Sequence, residues 1–299
     1  MADPRTIETL DLRKNFGTTE ALRGLDLDVP AGSIFGFLGR NGAGKTTTIK
    51  ILLGMTRPTA GRARVFGLPA DAPESSVEIR RRTGFVSEDK ELYEYMTVDE
   101  IVRFTAAFYP KWHRDLEQRY LRAFELPLAG RIKALSRGAR TKLALLLALC
   151  RGAELLVLDE PTSGLDPAVT EEVLQALVAH VASQETTVFF SSHQIAEVDQ
   201  IADRVAIVDR GRAVVAGELE ELRERYRRIQ LVFDGGAPQP AFRAPGVERM
   251  RREGRVLTVL SSAGADRIID EARALNPVSV DVVPVTLKEI FLETVSAED

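Results

Sequence analysis

The chain is poor in the residues that build disulfide frameworks and metal clusters: its 299 residues include one cysteine and three histidines. A lone thiol closes no internal disulfide, so Cys150, inside the apolar run LALLLALC, is expected as buried packing in a reducing compartment. Long apolar runs are also missing. No stretch approaches the roughly 18 residues a membrane-crossing helix needs, and the opening MADPRTIETL lacks the apolar core of a secretory signal. Work at a membrane would therefore require spanning helices from another polypeptide. A net charge of −4 excludes a broad basic face for nucleic acid. What remains is ordinary for a soluble globular chain, 44% hydrophobic and 28% charged, and its length suits one large α/β domain plus an appendage.

Apolar spacing orders the chain. LDLDV (25–29) alternates like a half-exposed strand, whereas 34–38 is a continuous apolar run ending in glycine, as in a buried strand, with a helix expected from Lys45. Thr97 and Glu100 form a capping-box signature ahead of Ile101, Val102, Phe104, Thr105 and Phe108 at helical spacing. This opens a helical insertion of about 91–151, continued through 116–124 and 139–150. Strands are expected at 155–158, 187–191 and 204–208, with a helix capped by Asp166 and started by Pro167 between the first two, a pattern that predicts a largely parallel, covered sheet. A charged helix over 219–228 leads out, so the domain boundary is placed near Glu220, giving domains 1–220 and 221–299. Beyond a Gly- and Pro-rich loop (234–246), the second piece mixes strands at 229–233, 256–260 and 278–283 with helices at 265–275 and 286–295.

Chemistry concentrates in two segments. Gly39, Arg40, Asn41, Gly42, Ala43, Gly44, Lys45, Thr46 and Thr47 satisfy the G-x-x-x-x-G-K-[ST] pattern between an apolar strand and a helix. Backbone amides of such a loop and the helix N-terminus wrap phosphates, glycine allows the backbone to approach the anion, Lys45 neutralises the β- and γ-phosphates, and Thr46 is a Mg²⁺ ligand. LLVLDEPTSGLD (155–166) places Asp159 and Glu160 at the carboxyl end of a buried strand, where ligands bind in α/β sheets. Asp159 is expected to hold Mg²⁺, directly or through water, and Glu160 to polarise the attacking water. The pair of segments implies binding and hydrolysis of ATP.

With these motifs the chain resembles the ATP-binding subunits of ABC (ATP-binding cassette) transporters over about its first 220 residues. LSRGAR (135–140) occupies the place of that family's LSGGQ signature, SGLD (163–166) matches the D-loop, and His193 in SSHQIAEV matches the switch histidine. The resemblance implies a P-loop NTPase core with a helical signature subdomain, a small C-terminal α/β domain, and MgATP hydrolysed in a head-to-tail dimer. Ser136 and Gly138 of one subunit would complete the other's γ-phosphate site. His193 would contact that phosphate near Glu160, and Asp166 would link the two sites. Phe16 falls where the family stacks an aromatic on adenine, with core packing as the alternative. His113 and His180 have no such context and are read as surface or packing residues.

Two stretches depart from the family pattern. Glu88 stands at the Q-loop position where glutamine is common, where it could still bind Mg²⁺ or water. Arg137 replaces the first signature glycine, and Ala139 and Arg140 follow Gly138; extra cationic charge near a γ-phosphate is electrostatically sensible, though Arg137 could equally face solvent. Such variants and an added C-terminal domain resemble bacterial exporters of the ABC-2 type. The expected partners are a separate transmembrane permease, docking near Tyr93, Tyr95 and Met96, and a second cassette, identical or different, with no nucleic acid and a peripheral location on the cytoplasmic membrane face. A soluble cassette acting in translation or DNA maintenance, or a nucleotide sensor with negligible turnover, is the alternative. The last helix, with Leu287, Ile290, Phe291 and Val295 on one apolar face, must dock somewhere.

Overall fold

A computed structural model describes residues 5–295. The chain divides into two compact units, with the break between Ala216 and Gly217.

In the first unit, strands β1 (Arg5–Phe16), β2 (Thr19–Pro30), β4 (Ala60–Val65) and β5 (Leu68–Pro69) form one sheet in the order β2-β1-β4-β5, its pairings antiparallel. Strand β2 buries Leu25, Leu27 and Val29 as its alternation predicts. Strand β1 was not expected. Register shifts between Thr9 and Arg13, with Asp11 at φ 45°, break the period of two on which a strand is recognised.

The second sheet of this unit comprises β3 (Ile34–Gly39), β6 (Thr83–Val86), β7 (Leu155–Asp159), β8 (Thr187–Ser192), β9 (Arg204–Asp209) and β10 (Arg212–Glu218), in the order β10-β9-β3-β8-β7-β6. It is parallel from β9 through β6. Every residue of β3, β7 and β8 is buried, which is why these segments read as unbroken apolar runs. Phe189 stacks on Phe35 with centroids 5.7 Å apart and lies 5.1 Å from Phe37, at the centre of a core that includes Ile49, Leu52 and Val157.

Helix α1 (Lys45–Leu52) follows β3, and α2 (Pro73–Arg82) precedes β6. The insertion consists of α3 (Val98–Ala106), α4 (Arg114–Ala123), a short 3₁₀ turn (Ile132–Ala134) and α5 (Arg137–Leu149). The capping box of α3 is formed in full: Glu100 N–H donates to Thr97 Oγ1 at 3.2 Å, and Thr97 N–H donates to Glu100 Oε2 at 2.8 Å. Helix α5 begins at Arg137 rather than Ala139, because Ser136 Oγ accepts from Ala139 N–H at 3.1 Å and serves as its N-cap. Helix α6 (Pro167–Gln184) starts at Pro167 with Asp166 Oδ1 accepting from Val169 N–H at 3.1 Å, and α7 (Ile195–Ile201) follows β8.

The second unit carries α8 (Leu219–Arg225) and a four-stranded antiparallel sheet, β12 (Val247–Glu253), β13 (Val256–Ser261), β11 (Arg227–Val232) and β14 (Ser279–Pro284), in that spatial order. The charged helix stops at Arg225, short of the expected Arg228, because Arg228 pairs with Leu260 and Val283 across the sheet. Strand β12, VERMRRE, escaped notice because an exposed edge strand needs no apolar face. Helix α9 (Ala265–Arg273) buries Ile268 and Ala272 in a core with Ile229, Leu231, Leu257 and Val259. In α10 (Leu287–Thr294) Leu287, Ile290 and Phe291 are buried, as is Val295 just beyond it.

Candidate nucleotide site

The loop from Arg40 to Gly44 joins a wholly buried strand to the first turn of α1. Gly44 has φ 105°, and a Cβ there would lie 2.7 Å from Leu22 Cδ2 and 2.8 Å from the Ala21 carbonyl, so both conformation and space demand glycine. In front of the loop opens a cavity of about 300 Å³ lined by Ala21, Asn41, Gly42, Gly44, Lys45, Thr46, Thr47, Glu88 and Glu160. The free amides and positive pole of the α1 N-terminus favour an anion there.

Lys45 is 6% exposed; its ammonium donates to the Gly39 carbonyl at 2.7 Å and the Arg40 carbonyl at 3.2 Å, and it pairs with Glu160 Oε1 at 3.1 Å. Glu160 turns off the end of β7 at φ 47°, a left-handed conformation held by its surroundings. Its N–H donates to Ser191 Oγ at 3.0 Å, and that hydroxyl donates to Asp159 Oδ1 at 2.6 Å. Ser191 therefore binds both acidic residues to the neighbouring strand. Glu160 Oε2 lies 2.7 Å from His193 Nδ1; an ionised carboxylate only accepts, so Nδ1 carries the shared proton. Below His193, Ser192 Oγ accepts from Gln194 N–H at 2.9 Å and donates to the buried Glu197 at 2.7 Å, fixing the turn.

Lys90, which sequence reasoning missed, completes this floor. It is 8% exposed, and its ammonium donates to the Glu88 carbonyl at 2.9 Å and lies 3.4 Å from the Glu160 carbonyl. Burial, reinforced by the charge of Arg137, holds its pKa below the usual lysine range. Ser191, read only as the end of a strand, carried a signal in being a hydroxyl that closes the run TVFF; Lys90, inside the charged stretch EDKE, gave none.

The remaining expected residues lie apart from this cavity. Phe16 ends β1 and is 54% exposed, with Lys14 Nζ 4.9 Å from its ring centroid, so the core-packing alternative fails. Ser136 and Gly138 open α5, and Asp166 caps α6; none of them is in the lining of this cavity. The Arg137 guanidinium lies against Gly164, leaving no room for a Cβ on that glycine. Arg140 donates to Glu94 at 2.8 Å and to the Lys133 carbonyl at 3.0 Å, so its charge is already engaged. His180 is a packing residue, 3% exposed between Tyr120 Oη and Thr186 Oγ1, each 3.5 Å away, and burial pushes its pKa down to about 4. His113 is exposed at the start of α4. The Cys150 thiol is fully buried and pushed up to about 12 by desolvation.

Among the described residues no three His, Cys, Asp or Glu side chains gather as a metal site. The oxygens of Thr46, Glu88 and Asp159 nonetheless suit Mg²⁺, which keeps waters and takes phosphate oxygens as ligands. Thr46 and Glu88 line the cavity, whereas Asp159 is 3% exposed and engaged by Ser191, which favours contact through water. A larger cavity of about 600 Å³, among Arg5, Arg82, Lys111 and Glu154, lies at the opposite, amino ends of β3, β7 and β8 and contains none of the phosphate loop.

A family model described as ABC transporter matches residues 22–163. The bacitracin transport ATP-binding protein BcrA of Bacillus licheniformis is 34% identical over 227 residues, covering 74% of this chain and 72% of its own. The chain belongs to the ATP-binding proteins of ABC transporters. The daunorubicin resistance ATP-binding protein DrrA3 of Streptomyces coeruleorubidus is 33% identical over 98% of this chain and 96% of its own, so the likeness extends into the second unit of this ABC ATPase. A solved structure described as the ATP-binding subunit of an ABC transporter superposes with TM-score 0.64 at 29% identity, covering 73% of this cassette and 92% of that chain.

In this ABC ATPase, an exposed aromatic ladder follows Glu88 in the chain. Tyr93 lies 5.9 Å from Tyr95 and 5.8 Å from Phe104, which in turn lies 5.1 Å from Phe108. These four rings are between 42% and 67% exposed, and Met96 beside them is half-buried. No helix among the described residues is long and apolar enough to cross a membrane.

Proposed function

We propose that this ABC ATPase drives export by a separate membrane subunit, and that Lys45, Glu160 and His193 form the centre of its hydrolytic site. The Lys45–Glu160–His193 arrangement at the mouth of the phosphate loop carries this reading. Glu160 Oε1 accepts no hydrogen bond and is held by the Lys45 ion pair. A triphosphate would draw Lys45 toward its β- and γ-oxygens, releasing Oε1 to accept a proton from the attacking water. His193, oriented through Nδ1 by Glu160, would meet the γ-phosphate, and Phe16 would stack on adenine. Arg40, Asn41, Gly42, Ala43, Gly44 and Thr47 would cradle the phosphates. Mg²⁺, held by Thr46 and Glu88 and through water by Asp159, would neutralise charge on the β- and γ-phosphates.

Ser136 and Gly138, outside the lining of the cavity, would complete the site of a second cassette packed head to tail, with Asp166 at the joint. Two solved structures with this fold are dimeric cassettes by description, and one of these is bound to ADP and Pi. The aromatic ladder around Tyr93, Tyr95 and Met96 suits the membrane subunit, since exposed aromatics and methionine mark interfaces. The assembly would sit on the cytoplasmic face, with 1–220 as motor domain and 221–299 as accessory domain.

For Glu160→Gln, ATP binding is expected to persist while turnover falls by about 100-fold or more, with the variant accumulating as an ATP-bound dimer in size-exclusion light scattering. Wild-type phosphate release would remove Glu160 from its assigned role. Affinity purification of the chain from detergent-solubilised membranes should recover a multi-helix membrane protein in stoichiometric amount; recovery of ribosomes or DNA would move the function to a soluble cassette.

A further inference from the structure

The sheet of the second unit ends in β12 on one side and β14 on the other, and the chain treats these edges differently. Strand β12 carries Glu248, Arg249, Arg251, Arg252 and Glu253, all exposed, a density of charge that opposes the addition of a further strand. Strand β14 pairs only with β11 among the described residues, and its one charged residue is Asp281. Val278 and Val282 stand 60% and 44% exposed on this edge. Val280 and Val282 lie opposite Leu231 and Ile229 of β11, both in the buried core of the unit, and Val280 packs against that core. Val278, whose N–H donates to the Val232 carbonyl at 2.7 Å, continues the strand. Alternation therefore sets Val278, Val280 and Val282 in one row on the core face, and that apolar row runs out to an edge with unpaired backbone groups.

We propose that β14 is a self-association edge, at which two copies of this chain join their second units by antiparallel pairing of β14 with β14 about a two-fold axis through Val280. Symmetry fixes the partners, because such an axis sets each residue opposite the one equally far on the other side of the centre. Val278 then faces Val282 of the second copy, and the reverse, so the two exposed valines cover each other. Ser279 faces the second copy's Asp281, a carboxylate that its hydroxyl already meets within the strand at 3.3 Å. An axis through Asp281 would set two carboxylates face to face, which is unfavourable. An axis through Ser279 would set Val282 against Asn276, and one through Val282 would set Val278 against Thr286. Only the Val280 centre matches both exposed valines and keeps like charges apart. This contact is distinct from the head-to-tail cassette dimer proposed above and requires no nucleotide.

The test uses the full chain without nucleotide. Val278→Cys and Val282→Cys are oxidised separately and as a mixture; the native Cys150 is fully buried and stays out of the reaction. A disulfide-linked dimer is expected from the mixture and not from either variant alone. Its yield should be unchanged when both partners also carry Lys45→Ala, which separates this contact from one driven by ATP. In sedimentation velocity the wild type should self-associate, and Val282→Lys should shift that association about tenfold or more to higher concentration. Melting temperatures report that each variant is folded. Absence of the mixed dimer from folded variants, equal yield from one variant alone, or identical sedimentation of wild type and folded Val282→Lys overturns the proposal and leaves the exporter reading intact.

Discussion

At the scale of single residues, the charged groups assigned to catalysis are paired with one another. The cation proposed to meet phosphate, Lys45, rests on Glu160, and the second carboxylate contact of that residue is His193. Glu88, at the proposed Q-loop position, lines the cavity as an acid in place of an amide, so a metal bound there would be sensed by charge as well as by ligation. For Glu88→Gln, steady-state phosphate release is expected to survive within about tenfold, with a raised Mg²⁺ requirement; complete loss would make the acid essential here. His180 offers a separate readout. Its folded pKa, about 4, lies below the ordinary 6.5, so the unfolded chain binds the extra proton first. Stability should therefore be full above about pH 6.5 and decline by up to about 3 kcal/mol as pH falls to 4. Chemical denaturation of His180→Gln should show a shallower slope across that window.

The elements that position these groups differ in how openly the sequence announces them. The α3 cap was readable because both its members are polar and spaced by the helix itself. Thr97→Ala removes an acceptor for an orphan amide and should cost about 1 kcal/mol in the unfolding midpoint, with ATP turnover of the isolated chain retained. The buried strands β3, β7 and β8 were readable as apolar runs, and with them the places of Gly39, Asp159 and His193. Strand β1 was hidden by its bulge and β12 by its charges, because a strand is recognised by the face it buries. Helices α2 and α7 also went unread: α2 buries only Ser76 and Ile79, and α7 spans just 195–201.

For the whole molecule, what matters is that only some of the motifs line the cavity. Glu160 and the phosphate loop line one cavity, with His193 held against Glu160, whereas Ser136 and Gly138 sit at the start of α5, outside that lining. A monomer with this geometry has only part of the proposed γ-phosphate site, so turnover should rise with the square of protein concentration where dimers are scarce. Gly138→Asp should bind ATP as a monomer and lose turnover. A Cβ at that position would approach Val169 Cγ1 to 3.2 Å, so a melting curve must accompany the assay to separate local crowding from loss of the shared site. Unchanged turnover in a folded variant would refute the shared-site model.

The sequence by itself determined the family, the nucleotide chemistry and the identity of the phosphate loop, because anion-cradling glycines and strand-end carboxylates are local features with fixed spacing. Tertiary structure alone decided where the charges rest. The pairing of Lys45 with Glu160, the Ser191 bridge to Asp159 and Glu160, and the seating of Lys90 beneath the Glu160 carbonyl all join residues far apart in the chain. Such contacts arise from the order in which parallel strands pack side by side, and that order leaves no mark on local spacing.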